Sequence, residues 1–580
     1  MISGSFCVSA KCARLLVAFL AFCLFGSLAF AQTDNWTGTT GVWSDSAQWD
    51  SGVPVAGSNI VIGTASANAT DDFSLAIGSL TLSNAADTVT VADGVALNAS
   101  GIITNAGTIQ LSSAGSNTYL QITGNVSLTG NGKLILGTTG PNYIVGASGA
   151  GTEILTNANT IQGVGNIGNG LMGLVNSGTI IANSATGNLF INPSAANFSN
   201  PGTLEAITGG NLTIQGPANS FTNFNASTGT LTGGTYTANG GNIYLAVGAN
   251  GITTLLGRVT EEASGQMINT STGANAFANL ASIPLGGVLT TTAGFTQPGA
   301  FSMLGSLNIL PKTVVNVGSV TQIVNNALTG GQWVLDFSLN ITGTPANIVT
   351  NSATVTLSGG TFKNTSNGSD AFANLNSNKK TLRIMNFAHF NTVGTLTNSG
   401  QMTISSGCKL TIGGGTGKSY TQTGGKTTMD GQLIGAVAIK SGTYLGAGSI
   451  TGNVSVGGTS AAIFNLGDTG KPALVKVAGN YTQLSTGKLS AGIGGSVVGT
   501  QFSQLQVTSP GVVNLAGTLS APLLGSFVPS VGETFTVLSA SSVNGTFSNS
   551  TIAINASEHF AISYTAQTVV LTVVSGPAAQ

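Results

Sequence analysis

NTSTGANAFANL, residues 269 to 280, returns as NTSNGSDAFANL at residues 364 to 375, an offset of 95. The alignment runs on without a gap, bringing Phe295 onto Phe390, Gly299 onto Gly394, Gly305 onto Gly400 and Ile309 onto Ile404. Self-similarity at a fixed spacing is the mark of a chain built from stacked units, each too small to bury its apolar face alone. Around these two copies, short runs alternate apolar and polar residues between Gly, Asn, Ser and Pro: Thr88-Val89-Thr90-Val91, Lys133-Leu134-Ile135-Leu136, Asn211-Leu212-Thr213-Ile214 and Thr354-Val355-Thr356-Leu357. A period of two is that of half-buried strands, and no stretch of the mature chain keeps a helical period. The expected fold is all-β, a parallel β-helix. A coil of about 20 to 25 residues makes the repeat about four coils long, each adding about 4.8 Å of height.

A shorter phrase punctuates the strands: TNAGTI at 104–109, TNANTI at 156–161, VNSGTI at 175–180, SNPGTL at 199–204 and TNSGQM at 397–402. Asn and Gly tolerate positive φ, so these are expected to be sharp turns that feed the next strand. The phrase stops near residue 461, which divides the chain into a signal peptide (1–31), an N-terminal cap (32–63), β-helix repeats (64–460) and a C-terminal β-region or cap (461–580).

Composition agrees with a solenoid and excludes several partners. Only 6% of the 580 residues are charged and the net charge is -1, so no basic cluster exists to hold nucleic acid. Glycine reaches 84 residues, and outward Thr, Ser and Asn supply the solubility that charge normally gives. At the N-terminus, Lys11 and Arg14 precede the apolar LLVAFLAFCLFGSLAF and the small-x-small site Ala29-Phe30-Ala31. This is the pattern of a cleaved export signal, with a mature chain beginning at Gln32 and no membrane span after cleavage. An uncleaved anchor is the alternative, and a lipoprotein is disfavoured by Phe22 before Cys23. Cys7, Cys12 and Cys23 leave with the signal, so Cys408 remains alone and is expected to be a small buried residue without a catalytic partner.

Three of the four tryptophans, Trp36, Trp43 and Trp49, fall within fourteen residues just after the signal. They are candidates either for a flat carbohydrate-binding platform or for a lid over the first coil, whose open edge would otherwise invite pairing. Asp50, Asp71 and Asp93, spaced by 21 and 22, could stack as a carboxylate ladder for calcium, or lie separately in turns. Glycoside hydrolysis needs two facing carboxylates. The adjacent pairs Asp71-Asp72 and Glu261-Glu262 would point to opposite faces of a strand, so no enzyme activity and no cofactor is expected.

The spacing Trp-x6-Trp-x5-Trp followed by Gly52-Val53-Pro54, Gly57 and Ile60-Val61-Ile62 resembles the start of passenger-type β-helix proteins of bacterial surfaces, the autotransporter-like adhesins. GNYTQ at 479–483, FSQLQVTSPGVVNLAGTL at 502–519 and FVPSVGETFTVLSASSVNGTF at 527–547 resemble the terminal part of such passengers. The family's membrane β-barrel has no counterpart in these residues, and Gly467-Asp468-Thr469-Gly470-Lys471-Pro472 stands where a Pro-Gly-rich turn is usual. The resemblance implies a secreted or cell-surface adhesion or coating protein, with surface polysaccharide or another surface component as partner and no self-transport. A carbohydrate-active or carbohydrate-binding β-helix is the alternative.

Overall fold

The structure, a computed structural model, describes residues 31–138, 140–217, 219–413 and 417–579. The segment read above as an export signal, with its three cysteines, lies outside the described residues apart from Ala31. Strands dominate, the one helical turn among the described residues being Ser46–Gln48, and no described helix is long and apolar enough to cross a membrane. The contacts divide the chain into two units, one of residues up to 178 with 193–196, the other of residues 179–192 with 197–580.

In the first unit the coils from residue 59 onward contribute three strands to three parallel sheets. Asn59–Ile62, Asn68–Asp71 and Leu75–Ile77 make one coil; Ser79–Leu82, Thr88–Val91 and Ala96–Ala99 make the next, paired in parallel to the first. The two-residue alternation decides what is buried. Ile60 and Ile62, Leu80 and Leu82, Val89 and Val91 point inward and are fully buried, while Val61, Thr81 and Thr90 between them face out. Each such aliphatic side chain contributes about 1.5–3 kcal/mol by leaving water.

The second unit follows the same rule, and here the 95-residue repeat can be counted. Ser306 lies beside Gln332, Gln332 beside Thr354, Thr354 beside Thr381, and Thr381 beside Gln401. Ser306 and Gln401 are therefore four coils and 95 residues apart, as the coil length required. The two copies that define the repeat, strands Met267–Asn269 and Phe362–Asn364 with the turns after them, are two versions of one arch.

The repeated Asn phrase does something other than expected. None of Asn105, Asn157, Asn176 and Asn398, nor Gly107, Gly178 and Gly400, has a positive φ. The asparagines end strands with the side chain inward and fully buried. They form ladders: Asn351 Nδ2 donates to Asn378 Oδ1 (2.8 Å), and Asn378 Nδ2 to Asn398 Oδ1 (2.7 Å). Each amide also closes a turn, Asn378 Nδ2 donating to Gln401 O at 2.9 Å. Buried amides are tolerable because they are paired in this way. The glycines are required for closeness, since a Cβ on Gly107, Gly178 or Gly400 would come within 3.0 Å of the carbonyl oxygen of Asp87, Asn159 or Lys380.

The parallel stack continues through residue 461, Ala462–Asp468 pairing with both Ala436–Gly446 and Gly487–Ala491. The phrase disappears because the inward amide becomes intermittent, Ile439 and Val456 filling the two rungs between Gln422 and Gln483. Gln422 sits beside Asn398 and donates to Thr443 O at 2.9 Å, and Gln483, in GNYTQ, donates to Thr518 O at 2.9 Å. Antiparallel closure begins only where Thr534–Ser539 meets Thr568–Ser575, which pairs in turn with Glu558–Tyr564.

Candidate functional site

The N-terminal tryptophans are built into the first coil. Strand Thr33–Trp36 turns Asp34 and Trp36 inward, and Trp43 follows Thr40–Val42 with its N–H donating to Thr70 O at 2.8 Å. Asp45 caps the short turn Ser46–Gln48, accepting from Ala47 N, and this turn brings Trp49 back over Trp36. The ring of Trp49 meets Trp36 edge-on at 5.1 Å and Trp43 at 5.7 Å, and its Nε1 donates to Trp43 O at 2.9 Å. Asp50 latches the returning segment, its carboxylate accepting from Asn35 N and Asn35 Nδ2, while Thr37 N donates to Gln48 O and Asp50 N to Asn35 O. The outer edge of Thr33–Trp36 is thereby paired.

Exposure is 2%, 0% and 5% for Trp36, Trp43 and Trp49, so the carbohydrate platform expected as one reading is corrected: a sugar ring could not reach an indole face. The interior position of all three follows from their alternation with outward neighbours, Asn35, Val42, Ser44 and Asp50 among them.

The calcium ladder is likewise not assembled. Asp50 lies in the latch, where its bonds to Asn35 hold its pKa below the ordinary range. Asp71 is fully buried at the end of Asn68–Asp71 and aligns with Val91, Leu111 and Leu136, not with Asp93. Burial pushes Asp71 up to about 8, so it is mainly neutral at pH 7. Asp93 sits in an exposed turn, accepting from Ala114 N and Ser116 N, which lower its pKa. Coil lengths vary, so equal spacing in sequence does not give equal position around the coil. Among the described residues no three of His, Cys, Asp and Glu gather as a metal-holding group.

The adjacent carboxylates diverge as their strand positions require. Asp72 faces out and accepts from Ser44 N and Oγ, opposite to Asp71. Glu261 faces in, accepting from Met267 N (2.8 Å), Asn275 Nδ2 (2.8 Å) and Thr291 Oγ1 (2.7 Å), with burial pushing its pKa up to about 7. Glu262 points the other way, and Cys408 is buried at 2% exposure.

Two features of the second unit were not foreseen. One column of small side chains, Ser377, Thr397, Thr421, Ala438, Ser455, Thr482 and Asn514, runs along successive coils, outward except at the buried Thr421 and polar except at Ala438. It carries a cavity of about 630 Å³ over Ser377 and Thr397, with Lys418 at its side, and another of about 230 Å³ over Ser455 and Asn514. The second feature is a pocket of about 390 Å³ beside the hairpin at Asp468–Lys471, the hexapeptide noted above as a departure from the passenger pattern. No protein-family model matches the chain, and the curated proteins contain no match to it.

Proposed function

We propose that the chain is an exported, surface-exposed β-helical protein of adhesion or coating, without turnover of its own, comparable in role to the autotransporter-like passengers it resembles. The column from Ser377 to Asn514 carries this reading: small side chains, hydroxyl or amide on most coils, offer a long, nearly uncharged face for another surface polymer. The Ala29-Phe30-Ala31 site supports export. The partner is a surface polysaccharide or another cell-surface component.

The test is labelling of intact producing cells with antibody, together with adhesion of cells carrying or lacking the gene to polysaccharide-coated surfaces. Surface labelling with adhesion lost on deletion is expected. Retention of the chain inside cells, or unchanged adhesion, contradicts the proposal. A carbohydrate-binding role is the second reading, favoured by the mixed apolar and polar lining beside Asp468–Lys471.

A further inference from the structure

Strand Ala462–Asp468 is seven residues long where many strands of the stack have four, and its end leaves the sheet. Gly467 and Gly470, at φ 98° and 73°, let the chain reverse so that Asp468 pairs with Lys471 in an antiparallel hairpin. Residues 522–524 form a second wall: Ile493 N donates to Pro522 O at 2.9 Å and Leu524 N to Ile493 O at 2.8 Å. Gly492 admits Leu524, since a Cβ there would meet the Leu524 side chain at 2.8 Å. At the back, Ser503 Oγ donates to Leu466 O at 2.7 Å and is itself fully buried.

The space left between these walls and the sheet has a divided lining. Leu445, Ile463 and Leu524 give apolar surface, and Asn465, Asp468 and Lys471 give an amide, a carboxylate and an ammonium around it. At about 390 Å³ it lies in the range of small-molecule sites. We infer that this pocket binds a pyranose unit of a neutral glycan. A pyranose has one face of C–H groups, which suits the leucines and isoleucine, and a rim of hydroxyls that both donate and accept. Asp468 accepts from such hydroxyls, Lys471 donates to them, and Asn465 can do both. A fatty chain would use only the apolar surface. A simple anion or cation would meet its own charge in Asp468 or Lys471.

The inference deepens the adhesive reading and rests on it for its biological setting, but binding is measured on the purified chain, so failure of export and failure of the pocket are seen separately. Saturation-transfer NMR and calorimetry of the full mature chain with lactose, maltose, cellobiose and N,N′-diacetylchitobiose should show at least one disaccharide binding with a Kd of order 1 mM. Ile463→Trp, which fills the pocket, and the separate Asp468→Ala/Lys471→Ala variant, which removes its charged rim, should each weaken binding at least about tenfold. Leu285→Ser, at an exposed position outside both the pocket and the outward column, should leave it unchanged. Thermal melting identifies any variant that fails to fold, and the rim variant, altered only at exposed positions, decides if the filled one does. No transfer to any of the four sugars, or equal affinity in the folded pocket variants, overturns the inference.

Discussion

The two arches at 269–280 and 364–375 share a backbone and differ in where each keeps its acid, Glu261 fully buried in the first and Asp370 half-buried in the second. In the first, Asn275 Oδ1 accepts from Phe277 N at 2.8 Å, and Phe277 is buried with Leu280 N donating to its carbonyl at 2.9 Å. In the second, Asp370 Oδ1 accepts from Phe372 N at 2.9 Å, and Leu375 N donates to Phe372 O at 2.9 Å. The turn needs an oxygen at this position, which either residue supplies. Asn275 has a spare amide, and it donates to Glu261 at 2.8 Å. Asp370 has none, and the residue aligned with Glu261 is Thr356. Each arch thus holds one acid, at opposite ends of the same constellation, because two facing buried carboxylates would repel and a lone amide would waste a donor.

The anchor is what the arches share, so it should cost most and cost equally. Phe277→Ala and Phe372→Ala are each expected to destabilise their arch by about 3–5 kcal/mol, measured by hydrogen exchange of the local amides because a stacked chain need not unfold as one unit. A clear inequality would mean the arches are not equivalent. Next comes the difference. Asn275→Asp places a second carboxylate against Glu261 and is expected to cost about 3 kcal/mol near neutral pH. The reciprocal transplant, Thr356→Glu with Asp370→Asn, should be milder than Thr356→Glu alone, and equal losses would break the comparison.

Protonation gives a further way to separate the arches. Burial raises Glu261 from 4.5 to about 7, so the folded arch binds the proton more tightly than the unfolded chain. Its stability should be greatest below pH 4.5, fall as pH rises to about 7, and then level. Glu261→Gln should flatten that profile in the first arch and leave the second unchanged. Asp71, raised from 3.8 to about 8, imposes the same sign on the first unit, and Asp71→Val, matching Val91 beside it, should stabilise the Trp-lined end at neutral pH. Amide exchange of that end against pH measures it.

Much of the fold was legible because strand alternation and coil period are written directly in the residues: Val89 and Val91 announce an inward face, and the 95-residue offset announces four coils. The Asn phrase was legible as a repeat but not in its role. A turn asparagine and an inward ladder asparagine look alike until the neighbouring coil supplies a partner, as Asn398 does for Asn378. For the same reason the change along this column to Gln422, Ile439, Val456 and Gln483 read as the start of a different β-region. Trp36, Trp43 and Trp49 were narrowed to lid or platform, and only their burial separates the two. The hairpin pocket was visible solely as an odd hexapeptide, because its opposite wall, Pro522 to Leu524, is distant in sequence.

The register from Ser306 to Gln401 is the most direct test. With Cys408 changed to Ser, spin labels at Ser306→Cys and Gln401→Cys should report a single narrow distance of about 20 Å, four rungs of about 4.8 Å each. A distance several times longer, or a broad distribution in a folded chain, would contradict the parallel stack on which every other conclusion rests.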